Sequence, residues 1–527
     1  MPRFLNHRKL WLAVFPILTF LISVALLMVY NLHQELLLPS KNWSRSIKMP
    51  LTTSDFYTPF VQKENGHYHI YTYQKGKIGD LVLDSKLQVV KKSKVPLHVK
   101  KETPYWIKGN NSLVMQNGKL ILRRGERKKV LSRNMDGMAA AASQVIVWRD
   151  QKLYTVDLKT FSLTPVATLK NKIRSVVNGR HSSRFLAVSK LDQKHIQLTL
   201  FQQKNPGAVF EKIPVITLEE GTSDANQTIS GIQFAVSGKQ MALVYTVFGI
   251  TQGGTIRTNH FAAENLKDLP FQSALPSFQF IEKKTHRFLH DPIHIRVAFQ
   301  GSHPVLLLAA SGHMPVGEEA VNIYEAAKGA KYWQAKLVSK TDTVSKVPFW
   351  LNDQTVLWLD FIDYDQYQLM GASQNPQVIA RSLQLRGEDW MNAFADTLVS
   401  LFSTLLIVFY SFLWIAPTGF FMGILAMANM TMMERNPAWI KYTAVGLYVL
   451  MQLIFMPILF DGAFQVKAPV YLTFPGSPYV VTLLLAVQAW GMMKVVKGEE
   501  WENFAQISFF LTMDVWMVAF LVGPYII

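Results

Sequence analysis

Long apolar runs stand at both ends of this 527-residue chain, and nothing between them is long enough to cross a bilayer. Residues 10–30, LWLAVFPILTFLISVALLMVY, match a hydrocarbon layer of about 30 Å. Arg3, Arg8 and Lys9 precede the run, which continues into Asn31-Leu-His-Gln-Glu without a small-residue cleavage site. This reads as an uncleaved signal-anchor whose first nine residues stay in the cytoplasm.

The C-terminal 397–527 reads as a bundle of about four more spans. They cover about 397–416 with a kinked extension to 430, then 442–460, 478–493 and 503–525. Pro417 and Gly419 predict a kink or interfacial turn inside the first of them. Counting 397–430 once places Arg435, Lys441, Lys494 and Lys497 on the cytoplasmic side, and five spans put the C-terminus outside.

Residues 31–396 are then expected outside the membrane. The chain has no cysteine, which excludes disulfides, thiol nucleophiles, zinc–thiolate sites and iron–sulfur clusters. An exported domain of this size without disulfides suits a Gram-positive bacterial surface. The chain carries +18, and only eight of its 54 basic and six of its 36 acidic residues lie outside 33–396. That stretch therefore holds about +16. A charge of this sign outside a membrane favours anionic lipid, envelope polymers or acidic proteins over nucleic acid; general solubility is the plain alternative.

Short alternating strands fill the stretch. Ser112 to Arg123 form two runs around Asn117-Gly118, a pair suited to a type I′ turn, and Val145 to Val156 form a second hairpin. Similar units recur every 35–60 residues or so, the mark of a propeller or other repeat array. Ile232-Gln-Phe-Ala-Val-Ser237-Gly238-Lys239-Gln-Met-Ala242-Leu-Val-Tyr245 resembles the blade motif of TolB-type propellers: a strand, a Ser-x-Asp-Gly-Lys-like turn, then an apolar strand. Val176 to Val188 and Val347 to Trp358 are looser versions, and none carries the usual Asp-Gly pair. The resemblance implies an all-β, β-propeller-like domain of about six or seven blades, with a β-sandwich pair as the rival. Trp43, Tyr57 and Trp390 read as interfacial anchors.

Asp514 leads the candidate functional residues, because a carboxyl at mid-span is costly and normally acquires partners or a task. Gln452 and Gln488 lie at similar depth. Arg123, Arg124, Arg127, Lys128 and Lys129 form a basic hairpin end that suits an anionic partner, or simply a solvated strand face. His286, His290 and His294 have helical metal-ligand spacing, but Pro292 and the strand-like flanks oppose a metal site there. No hydrolase elbow, phosphate loop or metalloprotease motif occurs, so no catalytic residue or cofactor is implied.

These features point to a binding domain on a membrane anchor, with a role in envelope scaffolding, assembly or sensing. The expected partners are the bilayer and another membrane or surface protein, or an anionic envelope polymer. The rival readings are a transporter or ion/proton relay through Asp514, and a hydrolase or lyase acting on an envelope polymer.

Overall fold

A computed structural model describes residues 3–179, 184–203, 209–220, 226–251, 254–272, 274–312, 320–341, 343–497 and 501–526. It divides at 37/38 and 384/385 into a β unit and a helical unit.

The β unit is a seven-bladed propeller. Blades 1 to 4 are four-stranded and run through 60–95, 105–132, 137–168 and 173–219. Blade 5 (226–265) has three strands of 12 residues each. Blade 6 (280–337) gains a short parallel strand, Phe280–Glu282. Blade 7 takes three strands from 345–373 and its outermost one, Ile47–Thr53, from the start of the unit.

Successive blades are joined by burial rather than by one central core. Seven apolar clusters each bridge two neighbours. Leu186 and Leu198 of blade 4, for example, meet Phe234 and Leu243 of blade 5, and Trp106 of blade 2 meets Val145 of blade 3. The middle strands of a blade therefore pack both faces, which explains why so many of them read as near-continuous apolar runs.

Local chemistry sets the turns. Asn65-Gly66 and Asn117-Gly118 both take positive φ, as a type I′ hairpin requires. The three motif segments around 176–188, 232–245 and 347–358 each fall on the first hairpin of a blade.

The ring closes between residues more than 300 positions apart. Pro50 lacks an N–H, so the first strand pairs with Gln366–Ser373 through a bulge between Lys48 and Thr52. The Gln368 side-chain amide fills the gap by donating to the Met49 and Leu51 carbonyls. Next to it, Ser44 N–H donates to Ser373 O (3.0 Å) and Ser373 N–H to Ser44 Oγ (3.0 Å). Trp43 is 1% exposed, packed among Leu307, Ile323, Val356 and Trp358 of blades 6 and 7. It is a core residue, not an interfacial anchor. Trp390 and Tyr57 are half-exposed.

The helices are α1 (Arg3–Leu36), α2 (Pro376–Ser382), α3 (Gly387–Ala428), α4 (Met430–Glu434), α5 (Ala438–Leu459), α6 (Gly462–Lys467), α7 (Ser477–Val496) and α8 (Asn503–Leu521). The short α2 caps blade 7, with Val378 buried and Asn375 as its N-cap. The other seven form the helical unit. Among the described residues, five helical segments are long and apolar enough to cross a membrane: Val14–Leu36, Gly387–Ala428, Ala438–Leu459, Ser477–Val496 and Asn503–Tyr525.

α3 stays helical through Pro417 and Gly419, so the expected interfacial turn does not form there. Its buried stripe of Ile407, Ser411, Trp414, Thr418 and Met422 keeps helical spacing across the proline. That stripe packs against α5, and the contact holds the helix where propensity would break it. At about 1.5 Å per residue, 42 residues extend about 63 Å, twice what a crossing needs. The last turn of the chain packs closely on α3: a Cβ at Gly523 would lie 2.9 Å from the Thr404 Cα.

Candidate functional site: a polar propeller channel and a buried carboxylate

The innermost strands of the blades line a central channel of about 860 Å³. Phe60, Tyr105, Phe234 and Trp350 give it aromatic walls. Asp55, Tyr57, Thr58 and Pro59, which lead into blade 1, line part of it. Tyr57 stacks on Phe56 there, at 4.8 Å.

Arg296 is the channel's basic residue. It lies on His290–Gln300, the innermost strand of blade 6, within His294-Ile-Arg296-Val, where residues alternate between the interblade core and the channel side. Its Nη1 donates to Gln233 Oε1 of blade 5 at 3.0 Å, and its Nη2 donates to Thr58 Oγ1. No described carboxylate pairs with it. Burial alone pushes its guanidinium down to about 10, so it remains charged at neutral pH.

The channel's acids sit elsewhere. Burial raises the Asp55 carboxyl, opposed by the Tyr57 and Glu102 amides and by the charge of Lys101. Lys101 itself pairs with Asp365 at 3.0 Å.

His294 stands at a bulge with φ 52°. Burial, then the charges of Arg296, Lys346 and Arg257, pulls it down to about 4. Water still reaches the ring, which moderates the effect. The sign follows from linkage. The unfolded chain takes up this proton near pH 6.5 and the folded one near 4, so its stabilising share is full above 6.5 and is lost as pH falls. The melting temperature of the propeller is expected to drop between pH 6.5 and 4, and to drop less in His294→Gln. Parallel profiles for the two proteins would exclude His294 as the cause.

The three candidate metal-ligating histidines are not gathered. His286 occupies a turn with φ 56°, while His290 and His294 lie on an extended strand broken by bulges. Among the described residues no three metal-ligating side chains converge.

Arg123 and Arg124 pair with Lys128 and Arg127 across a hairpin, and Arg127, Lys128 and Lys129 lie on the exposed outermost strand of blade 2. Lys91, Lys92 and Lys94 lie on the outermost strand of blade 1. Charges at such positions keep open sheet edges from pairing with other chains.

In the helical unit, Asp514 of α8 is fully buried. Its Oδ2 accepts from Tyr448 Oη (2.8 Å) and from Gln452 Nε2 (2.6 Å), both of α5. Trp414 Nε1 of α3 donates to Tyr448 Oη at 3.2 Å. Tyr448 and Gln452 are four apart and so share a helix face. Asp514 Oδ1 and Gln452 Oε1 have no partner among the described residues. Eight residues before Asp514, Gln506 Oε1 accepts from Lys441 Nζ at 2.9 Å. Lys441, read from the sequence as a loop charge, is 6% exposed and belongs to this polar seam. Gln488 is exposed on α7 and takes no part.

Arg296, Tyr448 and Trp414 escaped the sequence reading. The polar–apolar alternation around Arg296 is the signal that marks it, once its segment is taken as a blade's innermost strand.

No protein-family model and no curated protein matches the chain. Among solved structures it is similar to Kluyveromyces lactis Hsv2, with 10% identity and a TM-score of 0.28, over 59% of this chain and 100% of that one. It is similar also to the BBS1N chain solved in complex with ARL6DN, with 12% identity and a TM-score of 0.34, over 62% and 96%. With TM-scores this low the likenesses carry no argument, and the propeller is read from the chain's own sheets. The TolB-type family is not recovered; what stands is a seven-bladed β-propeller, with helices apolar enough to cross a membrane.

Proposed function

We propose that this chain is a multi-pass membrane protein whose propeller is a binding domain outside the cytoplasm, with a scaffolding, assembly or sensing role in a cell envelope. The observation that carries it is the closure of the propeller. Both ends of the domain meet at Ser44 and Ser373; the apolar α1 ends at Leu36, before the first, and the apolar α3 begins at Gly387, after the second and beyond the short α2. The excess positive charge on 33–396 supports an anionic or acidic partner.

Orientation is tested by single cysteines, for which the chain's lack of native cysteine supplies a clean background. Lys129→Cys is expected to react with a membrane-impermeant maleimide on intact cells, and Arg435→Cys only after lysis. The reverse pattern would overturn the topology. The partner is sought by crosslinking the full chain in its own membrane and isolating it at two salt concentrations. A specific co-purifying membrane or surface protein supports a scaffold, and a salt-sensitive anionic polymer supports wall attachment. Recovery of the protein alone counts against both.

A second reading is favoured by one specific observation. The carboxylate of Asp514 is buried with one oxygen unpartnered, beside an unpartnered Gln452 carbonyl. This arrangement suits a proton or ion relay through the helical unit.

A further inference from the structure

A partly buried arginine is commonly matched by an acid, because an uncompensated charge drawn out of bulk water is costly. Arg296 has instead been given two neutral acceptors, the Gln233 carbonyl and the Thr58 hydroxyl. They hold the guanidinium in place without cancelling its charge. Two of its five N–H groups are used, and the others remain available on a planar fork that matches a carboxylate bidentately.

We propose that the propeller channel is a binding site for a carboxylate borne on an apolar or aromatic body, with Arg296 as the group that grips the carboxylate. The inference rests on the reading of the propeller as a binding domain and names the chemistry of its ligand.

Three further observations agree. The channel, at about 860 Å³, has the size of small-ligand sites, and Tyr105, Phe234 and Trp350 supply walls for an apolar body. A smaller pocket shares Gly179 and Phe234 with the channel and contains a second arginine, Arg184, that pairs with no acid among the described residues. Its Nη1 donates to the Val236 carbonyl at 3.4 Å. Asp55, the channel's buried acid, answers to Lys101 and leaves Arg296 uncompensated. A single arginine fork suits a carboxylate better than a doubly charged phosphate, which would call for more donors.

The test uses the full-length protein in lipid nanodiscs and saturation-transfer NMR. The probe is N-acetylphenylalanine, with N-acetylphenylalaninamide as its neutral twin and phenyl phosphate as a competing anion. The acid is expected to bind at least tenfold more tightly than the amide, and more tightly than phenyl phosphate. Arg296→Gln should abolish the difference between acid and amide. Because that variant removes a partly buried, hydrogen-bonded group and can misfold, Gln233→Glu is the decisive one. It places a carboxylate against Arg296 from within, and should lower affinity for the acid at least tenfold with the melting temperature kept or raised.

Equal binding of acid and amide, preference for phenyl phosphate, or unchanged affinity in Gln233→Glu would each overturn the proposal. The same acid at the end of an acetylated hexapeptide separates the two sources. Tighter binding than the single residue indicates a peptide terminus, and weaker binding a free small acid. A crosslinked partner without any binding of the probe would leave the scaffold reading standing and remove this one.

Discussion

Replacing Trp43 with alanine is expected to destabilise the propeller by about 3–5 kcal/mol, the range for deleting a fully buried tryptophan side chain. Trp43 is 1% exposed and lies where the incoming chain meets blades 6 and 7. Its removal opens a cavity beside Leu307, Val356 and Trp358, at the seam where the ring is closed. Strands on both sides are fixed by their own ladders and cannot collapse into the gap. The effect is read by limited proteolysis and denaturant unfolding of the full-length protein, with Trp43→Phe as the milder partner. A change below about 1 kcal/mol would place Trp43 outside the core.

The second large effect concerns Asp514. Asp514→Leu removes the acceptor of two buried donors, Tyr448 Oη and Gln452 Nε2, at a cost of about 1–3 kcal/mol for each stranded group. Asp514→Asn keeps a carbonyl in the same place and should cost far less. The pair separates a structural clasp from a relay. If the carboxylate only ties α5 to α8, the asparagine variant assembles and works. If it carries a proton or ion, that variant assembles and fails. Thermal stability in detergent reads the first property, and growth or transport in a strain lacking the native protein reads the second.

Much of the fold was legible because its signals are local. Asn117-Gly118 requires positive φ, and an apolar run of some 20 residues requires a bilayer or a core. What escaped depends on distant partners. No local pattern says that Ile47–Thr53 completes a blade begun at Ser345, and Pro50 argues against a strand until the bulge and Gln368 are seen to accommodate it. Trp43 was misread for the same reason: an aromatic residue near a predicted span looks interfacial until blades 6 and 7 are known to surround it. Pro417 and Gly419 were expected to mark a kink or an interfacial turn; the helix continues past both, with its stripe packed against α5.

The candidate sites divide along the same line. Asp514 stood out because a carboxylate in an apolar run is conspicuous, and Gln452 came with it. Gln488 lies at a similar depth but on the wrong face, which depth alone does not reveal. Arg296 was one of 54 basic residues until the channel gave it a setting.

The clasp at Ser44 and Ser373 has a counterpart in the helical unit. There α1 and α3, the helices that lead to and from the propeller, pack against each other, and Asn31 Nδ2 donates to Thr397 Oγ1 at 3.0 Å. A ring zipped shut by its own terminal strand is ordinarily prone to fraying at that strand, since a free end drifts away once it lets go. Here neither end is free. When Ile47–Thr53 detaches, its tether keeps it close to Gln366–Ser373, so its effective concentration stays high and re-pairing is quick. Cutting the chain between α1 and Trp43 should therefore loosen the propeller without removing any residue from it: a protein of identical composition would exchange its blade 7 amides faster simply because one tether had been severed.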